Sequence, residues 1–157
     1  MKSAAAVNQY ACQATAIRPT WNRAPSEPGI DEGLQILVVE DDVADAYLIE
    51  CALQDDPRVG TVRHASDGLE ALGLFDRGEV SPDLVVIDLH MPRMNGFQLL
   101  EELSRRENAP FAMYVLTSST ARTDFVWGKL RGADLILTKP DTLAQLKVVL
   151  RDAINAL

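Results

Sequence analysis

The sequence predicts a doubly wound α/β domain on a five-stranded parallel sheet. Three observations carry that expectation. From Leu34 onward, short apolar runs of strand type alternate five times with runs of helical period. The central runs, Val85-Val86-Ile87 above all, are continuously apolar, as strands covered on both faces must be. Four of the strand runs end in chemically distinctive residues, and parallel strands would bring those ends to one rim, where open α/β sheets bind their ligands.

Residues 1–33 stand apart. They are Ala-rich at first, then carry Pro19, Pro25 and Pro28 with few apolar residues, so they read as a flexible N-terminal extension ahead of a domain spanning 34–157. A helix over Ala4–Ala16, or an arm anchored by Trp21 that docks on a partner or on the domain itself, is the alternative; a short isolated helix is marginal in water.

The first strand, Leu34–Val39, runs into Glu40-Asp41-Asp42. The first helix, Val43–Gln54, has Ala44, Tyr47, Leu48, Cys51 and Ala52 at helical spacing and stops at Asp55-Asp56-Pro57. Thr61–Ala65 is a short second strand, placed at an edge because Arg63 and His64 interrupt it. Asp67 caps the second helix, with Glu70 at capping-box spacing, and that helix ends near Phe75.

The third strand delivers Asp88, and Pro92 and Gly96 punctuate the turn that follows. Asn95 or Gly96 opens the third helix, which buries Phe97, Leu99, Leu100 and Leu103 and wets Glu101, Glu102, Arg105 and Arg106. Phe111–Leu116 is the fourth strand and ends in Thr117-Ser118-Ser119. The fourth helix, Arg122–Leu130, is closed by Gly132. Ala133–Thr138 is the fifth strand and leads to Lys139-Pro140. Thr142 and Gln145 form a capping box for the last helix, whose stripe is Leu143, Leu146, Val149, Leu150 and Ala153.

At 157 residues the chain makes one domain plus a tail. Its net charge of -8 repels nucleic-acid backbone and anionic membrane, which excludes direct nucleic-acid binding as the leading function. No apolar run approaches the ~20 residues of a membrane helix, and the N-terminus lacks a secretory h-region, so a cytoplasmic location without membrane insertion is expected. Cys12 and Cys51 make neither a metal pattern nor a disulfide framework, and Cys51 reads as a small buried hydrophobe.

Singly, the rim residues have plain explanations. Asp41 and Asp42 can cap the first helix, Lys139 can be a solvated charge, Thr117 a turn former, and His90 a loop residue whose side chain does nothing. Jointly, surface charges have no reason to choose four strand ends. Gathering Glu40, Asp41 and Asp88 costs up to ~4 kcal/mol per pair at an effective dielectric near 20. A cation must offset that, and hard carboxylates without a Cys or His cluster favour Mg²⁺ over zinc.

In this order, Glu40-Asp41, the box from Asp88 to Gly96 (Asp-Leu-His-Met-Pro-Arg-Met-Asn-Gly), Thr117 and Lys139-Pro140 resemble the receiver domain of two-component response regulators. The resemblance covers about Leu34 to the last residue. It implies the flavodoxin-like strand order 2-1-3-4-5 and Asp88 as a phosphoacceptor. It assigns Mg²⁺ to the side chains of Asp41 and Asp88 and the backbone carbonyl of His90, with Glu40 acting through water. It also gives Lys139 the phosphoryl charge to neutralise and Thr117 a phosphoryl oxygen to bond once the phosphate is there. The implied partners are a histidine kinase or phosphotransfer protein and a downstream protein target, and a homodimer is compatible with the sequence. Because the chain stops after the fifth helix, a stand-alone receiver without turnover activity is expected.

One position departs from the pattern. Three residues before the lysine, receivers usually carry Tyr or Phe, and here Ile136 cannot swing a polar tip between solvent and core. Ser118 adds a hydroxyl where a small Ala is common. Phosphorylation is therefore expected to persist while its readout on the fourth helix, fifth strand and fifth helix is altered or muted. Phe125 and Trp127 on the fourth helix are candidate partner anchors, a core role for at least one of them being the alternative. Two other classes remain open: a phosphorylation-independent interaction module, favoured by Ile136, and a Mg²⁺-dependent phosphohydrolase. The latter would normally need a second acid where His90 stands.

Overall fold

The computed structural model describes residues 33–106 and 109–157. The Ala4–Ala16, Trp21 and Cys12 expectations lie outside the described residues. Among the described residues five strands and five helices alternate. They are β1 (Leu34–Val39), α1 (Val43–Gln54), β2 (Val59–Ala65), α2 (Gly68–Asp76), β3 (Leu84–Ile87), α3 (Gly96–Ser104), β4 (Ala112–Thr117), α4 (Arg122–Leu130), β5 (Leu135–Thr138) and α5 (Leu143–Asn155). All strand pairs are parallel in the order β2-β1-β3-β4-β5, with β2 at an edge as its interrupted apolar content predicts.

Strand periodicity splits the interior into two layers. Leu37, Val39, Val85, Ile87 and Val115 face one way and pack with Leu74, Leu99, Leu100 and Leu103 of α2 and α3. Ile36, Val38, Leu84, Val86, Tyr114 and Leu116 face the other way, against Ile49 and Leu53 of α1 and Leu146 and Leu150 of α5. Central strands buried on both sides explain why β1 and β3 read as unbroken apolar runs. Cys51 is buried, as expected of a small hydrophobe.

Three local expectations are corrected. The buried face of α1 is Ala46, Ile49, Glu50, Cys51, Ala52 and Leu53, while Tyr47 is 48% exposed and Ala44 lies in solvent. The bulky Ile49–Leu53 pair, four residues apart, wins the contact with the sheet and α5 over the smaller Ala44 stripe. On α2, Asp67 caps the Glu70 amide as predicted, but the Glu70 carboxylate reaches one residue further back, to the amide and hydroxyl of Ser66. On α5, the Thr142 oxygen accepts from the Gln145 amide while its hydroxyl donates to the Gln145 side chain, so the box is not reciprocal. Asn95 and Gln98 of α3 do form both halves of a capping box. In addition β2 begins two residues earlier than predicted, and β5 two later.

Candidate functional site

Backbone register brings the chemistry together. Val39 pairs with Ile87 and Thr117 with Thr138, so β1, β3, β4 and β5 end nearly level. Ladder bonds continue past the strand ends: the Asp88 amide donates to the Val39 carbonyl (3.0 Å) and the Lys139 amide to the Thr117 carbonyl (2.8 Å). Side chains leaving these positions therefore share one rim. Gly96 makes the return path possible. A Cβ there would collide with the Asp88 carbonyl oxygen and lie 2.8 Å from the Leu89 Cα, so only glycine lets α3 start this close to the Asp88 backbone.

The Asp42 side chain caps α1, accepting from the amides of Ala44 (2.8 Å) and Asp45 (3.0 Å). With Asp42 committed to the cap, the flanking Glu40 and Asp41 are left for the rim. Glu40 and Asp88 are buried and Asp41 is exposed, and one carboxylate oxygen from each lies within 4.8 Å of the others. The Lys139 ammonium sits among the acids, 2.6 Å from Glu40, 2.9 Å from Asp45 and 3.6 Å from Asp88. Thr117 is fully buried at the end of β4. Its hydroxyl oxygen accepts from the Ser119 amide at 3.2 Å.

One ammonium cannot balance four carboxylates. At 4.8 Å and an effective dielectric near 20, each unpaired like-charge contact costs about 3 kcal/mol. Burial pushes the Glu40 carboxyl above its usual range, and the Asp88 charge adds to that, although the hydrogen bond and charge of Lys139 pull the other way. Burial likewise works against the Lys139 ammonium, but its hydrogen bonds to Glu40 and Asp45 and the nearby Asp88 charge overcome this and raise it, so it stays charged. The donor set is all oxygen. Opposite ligands of an octahedral Mg²⁺ stand ~4.2 Å apart, so carboxylates within 4.8 Å of each other fit such an ion with small adjustments.

Two features of the rim escaped the sequence. Asp45, an ordinary-looking first-turn acid of α1, is the second hydrogen-bond partner of Lys139. The His90 side chain, expected to do nothing, meets Asp124 of α4 at 3.1 Å, while the His90 amide donates to Asp88 Oδ2 at 3.0 Å. Neither had a local signal, because 94 residues separate Asp45 from Lys139 and 34 separate His90 from Asp124. The loop between Asp88 and α3 is braced from outside. Arg93 adopts a left-handed φ of 63° and its guanidinium pairs with the buried Asp67 carboxylate, and the Gly68 amide donates to the Met94 carbonyl.

A family model described as the response regulator receiver domain matches residues 36–151. The chain belongs to the response regulator receiver domain family. This receiver is 33% identical over 107 residues to Protein PilH of Pseudomonas aeruginosa, covering 68% of this chain and 85% of PilH. It is 37% identical over 119 residues to the transcriptional regulatory protein TcrA of Mycobacterium tuberculosis, covering 76% of this chain and 45% of TcrA. The chain spans about a third to a half of the length of the first curated relatives it matches. Among solved structures it resembles the phosphorylated cyanobacterial phytochrome response regulator RcpA, with a TM-score of 0.69 and 27% identity over 77% of this chain and 91% of that one. The Mn²⁺-bound response regulator Rcp1 is similar, with a TM-score of 0.69 and 25% identity over 76% and 90%. The receiver family is one of signalling proteins, and no helix among the described residues is long and apolar enough to cross a membrane.

Proposed function

We propose that this receiver accepts a phosphoryl group on Asp88 from a phosphohistidine donor, with Mg²⁺, and signals through protein contacts. The observation that carries the reading is the Lys139 ammonium, 3.6 Å from Asp88 and beside a triad of carboxylates that fits a hard divalent cation. In the transfer an Asp88 oxygen attacks phosphorus, the P–N bond breaks, and its electron pair returns to the donor imidazole, leaving an aspartyl phosphate. Little covalent chemistry is left for the protein, so its task is to position groups and neutralise charge.

Asp41, Asp88 and the His90 carbonyl would hold the Mg²⁺, with Glu40 acting through water, and the ion would supply charge neutralisation at the phosphoryl oxygens. Lys139 supplies a point charge beside Asp88, held there by Glu40 and Asp45. Thr117 offers its hydroxyl proton to a phosphoryl oxygen, a contact that exists only in the modified state and so favours one conformation over another. The donor is a histidine kinase or phosphotransfer protein, the readout is a downstream protein, and the reaction takes place in the cytoplasm. Purified protein given Mg²⁺ and acetyl phosphate should gain one phosphoryl mass, and Asp88→Asn none; equal labelling of both would refute the assignment.

A second reading is a module that binds its partner without phosphorylation. It is favoured by Ile136, which packs against the α4 backbone: a Cβ added at Gly128 would lie 2.8 Å from Ile136 Cδ1. Partner binding that survives Asp88→Ala unchanged would select it. Sustained turnover of a small phosphate ester would instead favour a phosphohydrolase, although His90 stands where that chemistry needs an acid.

A further inference from the structure

The rim contains a chain of hydrogen bonds, running from Asp88 to Thr117, that the phosphoacceptor reading does not use. His90 donates its amide to Asp88 Oδ2 (3.0 Å), and its ring meets Asp124 Oδ2 (3.1 Å). The same Asp124 oxygen accepts from the Ser119 hydroxyl (2.5 Å). The Ser119 amide in turn donates to the Thr117 hydroxyl oxygen (3.2 Å). Two loops, one leaving the acceptor carboxylate and one leaving the threonine, thus converge on a single oxygen in the first turn of α4.

The start of α4 depends on those contacts. Among the five helices described it is the one whose N-cap residue, Ala121, makes no side-chain hydrogen bond. Its first turn is tied to the loop instead, by Asp124 and by the Ala121 amide donating to the Ser119 hydroxyl oxygen (3.2 Å). Gly128 is its single buried residue. A helix with so little burial follows whatever holds its end. Both ties answer to the state of Asp88. Converting the carboxylate to an acyl phosphate changes what the His90 amide can bond, and drawing the Thr117 hydroxyl to a phosphoryl oxygen disturbs its bond from the Ser119 amide. Ser119 and His90 together hold the Asp124 carboxyl below its usual range, the Ser119 hydrogen bond contributing most, so the hub is an ionised acceptor at neutral pH.

We infer that Asp124 is the residue through which the state of Asp88 reaches α4, by way of His90 and Ser119, in place of a moving aromatic at position 136. The inference rests on the phosphoacceptor reading and adds the route by which modification is read. Ile136 has no polar tip with which to report on Thr117, whereas the chain of bonds through Asp124 touches both the acceptor and the threonine.

Trp127 on α4 is a built-in reporter, 51% exposed with the Arg131 guanidinium 4.8 Å over its ring. The test uses the full chain carrying Trp21→Phe, so that Trp127 is its remaining tryptophan. Its emission is recorded with Mg²⁺ before and after acetyl phosphate, and intact mass gives phosphoryl occupancy in the same samples. The phosphorylated parent should show a shift in Trp127 emission. Asp124→Ala should lose most of that shift at equal occupancy, Asp124→Asn should keep it because an amide oxygen still accepts from both partners, and Ile136→Ala should keep it as well. Should Asp124→Ala not fold, His90→Ala cuts one of the same ties from a 59% exposed side chain and should also lose it. A full shift in the folded Asp124→Ala or His90→Ala protein, or a phosphorylated parent with no shift, would overturn the inference. A parent that gains no phosphoryl mass would instead sink the phosphoacceptor reading, and this one with it.

Discussion

Helices α1 and α4 both begin at the carboxyl rim of the sheet, yet they are held in opposite ways. The α1 N-cap, Asp42, accepts from two amides, and Ala46, Ile49, Glu50, Cys51, Ala52 and Leu53 are buried beneath the helix. The α4 N-cap, Ala121, accepts nothing through its side chain, and Val126, Trp127 and Leu130 of that helix stand 51–71% exposed. The acids and the lysine hang from β1, α1, β3 and β5, all anchored in two shared cores. A site that must hold charges at fixed separations needs that rigidity, and an element that must respond to the site needs the lack of it.

Substitutions should expose the contrast. Leu53 is wholly buried and Leu130 is 71% exposed. Leu53→Ala should cost about 3 kcal/mol in denaturant unfolding and Leu130→Ala less than about 0.5 kcal/mol; equal losses would erase the distinction. Caps come next. Asp42→Ala should cost about 1 kcal/mol, whereas Ala121→Asp, at φ -69° and ψ 124°, should add a cap and stabilise by about 0.5 kcal/mol. If installing that cap also shrinks the Trp127 response to phosphorylation, looseness at the start of α4 is part of the readout.

A pH dependence is expected beside the C-terminus of α1. Arg58 holds Asp56 well down, from 3.8 to about 2, chiefly through its side-chain hydrogen bond. A depressed carboxyl contributes stability above its unfolded pKa and loses it as pH falls through the folded value. Asp56→Asn should therefore weaken the protein near neutral pH by about 1 kcal/mol or less, since the Arg58 side chain is 45% exposed and screened by solvent. The difference from wild type should close between pH 4 and about 2.

Much of this was legible in the sequence, for identifiable reasons. Strand and helix periods do not overlap in this chain, so five units and a parallel sheet follow from pattern, and Glu40, Asp41, Asp88, Thr117 and Lys139 announce themselves by standing where apolar runs stop. The orientation of α1 was not legible, because two apolar stripes overlap on it and packing against the sheet and α5 chose between them. Asp45 is a first-turn acid of α1, a position that suits the helix dipole and gives no hint of a lysine beyond β5, 94 residues on. The His90–Asp124–Ser119 contacts were invisible, since polar residues in two loops become partners only when β3 and β4 are set side by side.

Amide hydrogen exchange, followed by mass spectrometry on peptides from 43–54 and 118–130, tests the central contrast directly. In the unmodified protein α4 should exchange well before α1, and phosphorylation at Asp88 should change protection over 118–130 while leaving 43–54 as it was. Equal exchange of the two helices, or a response confined to α1, would contradict the division between a rigid site and a loosely held helix that reads it.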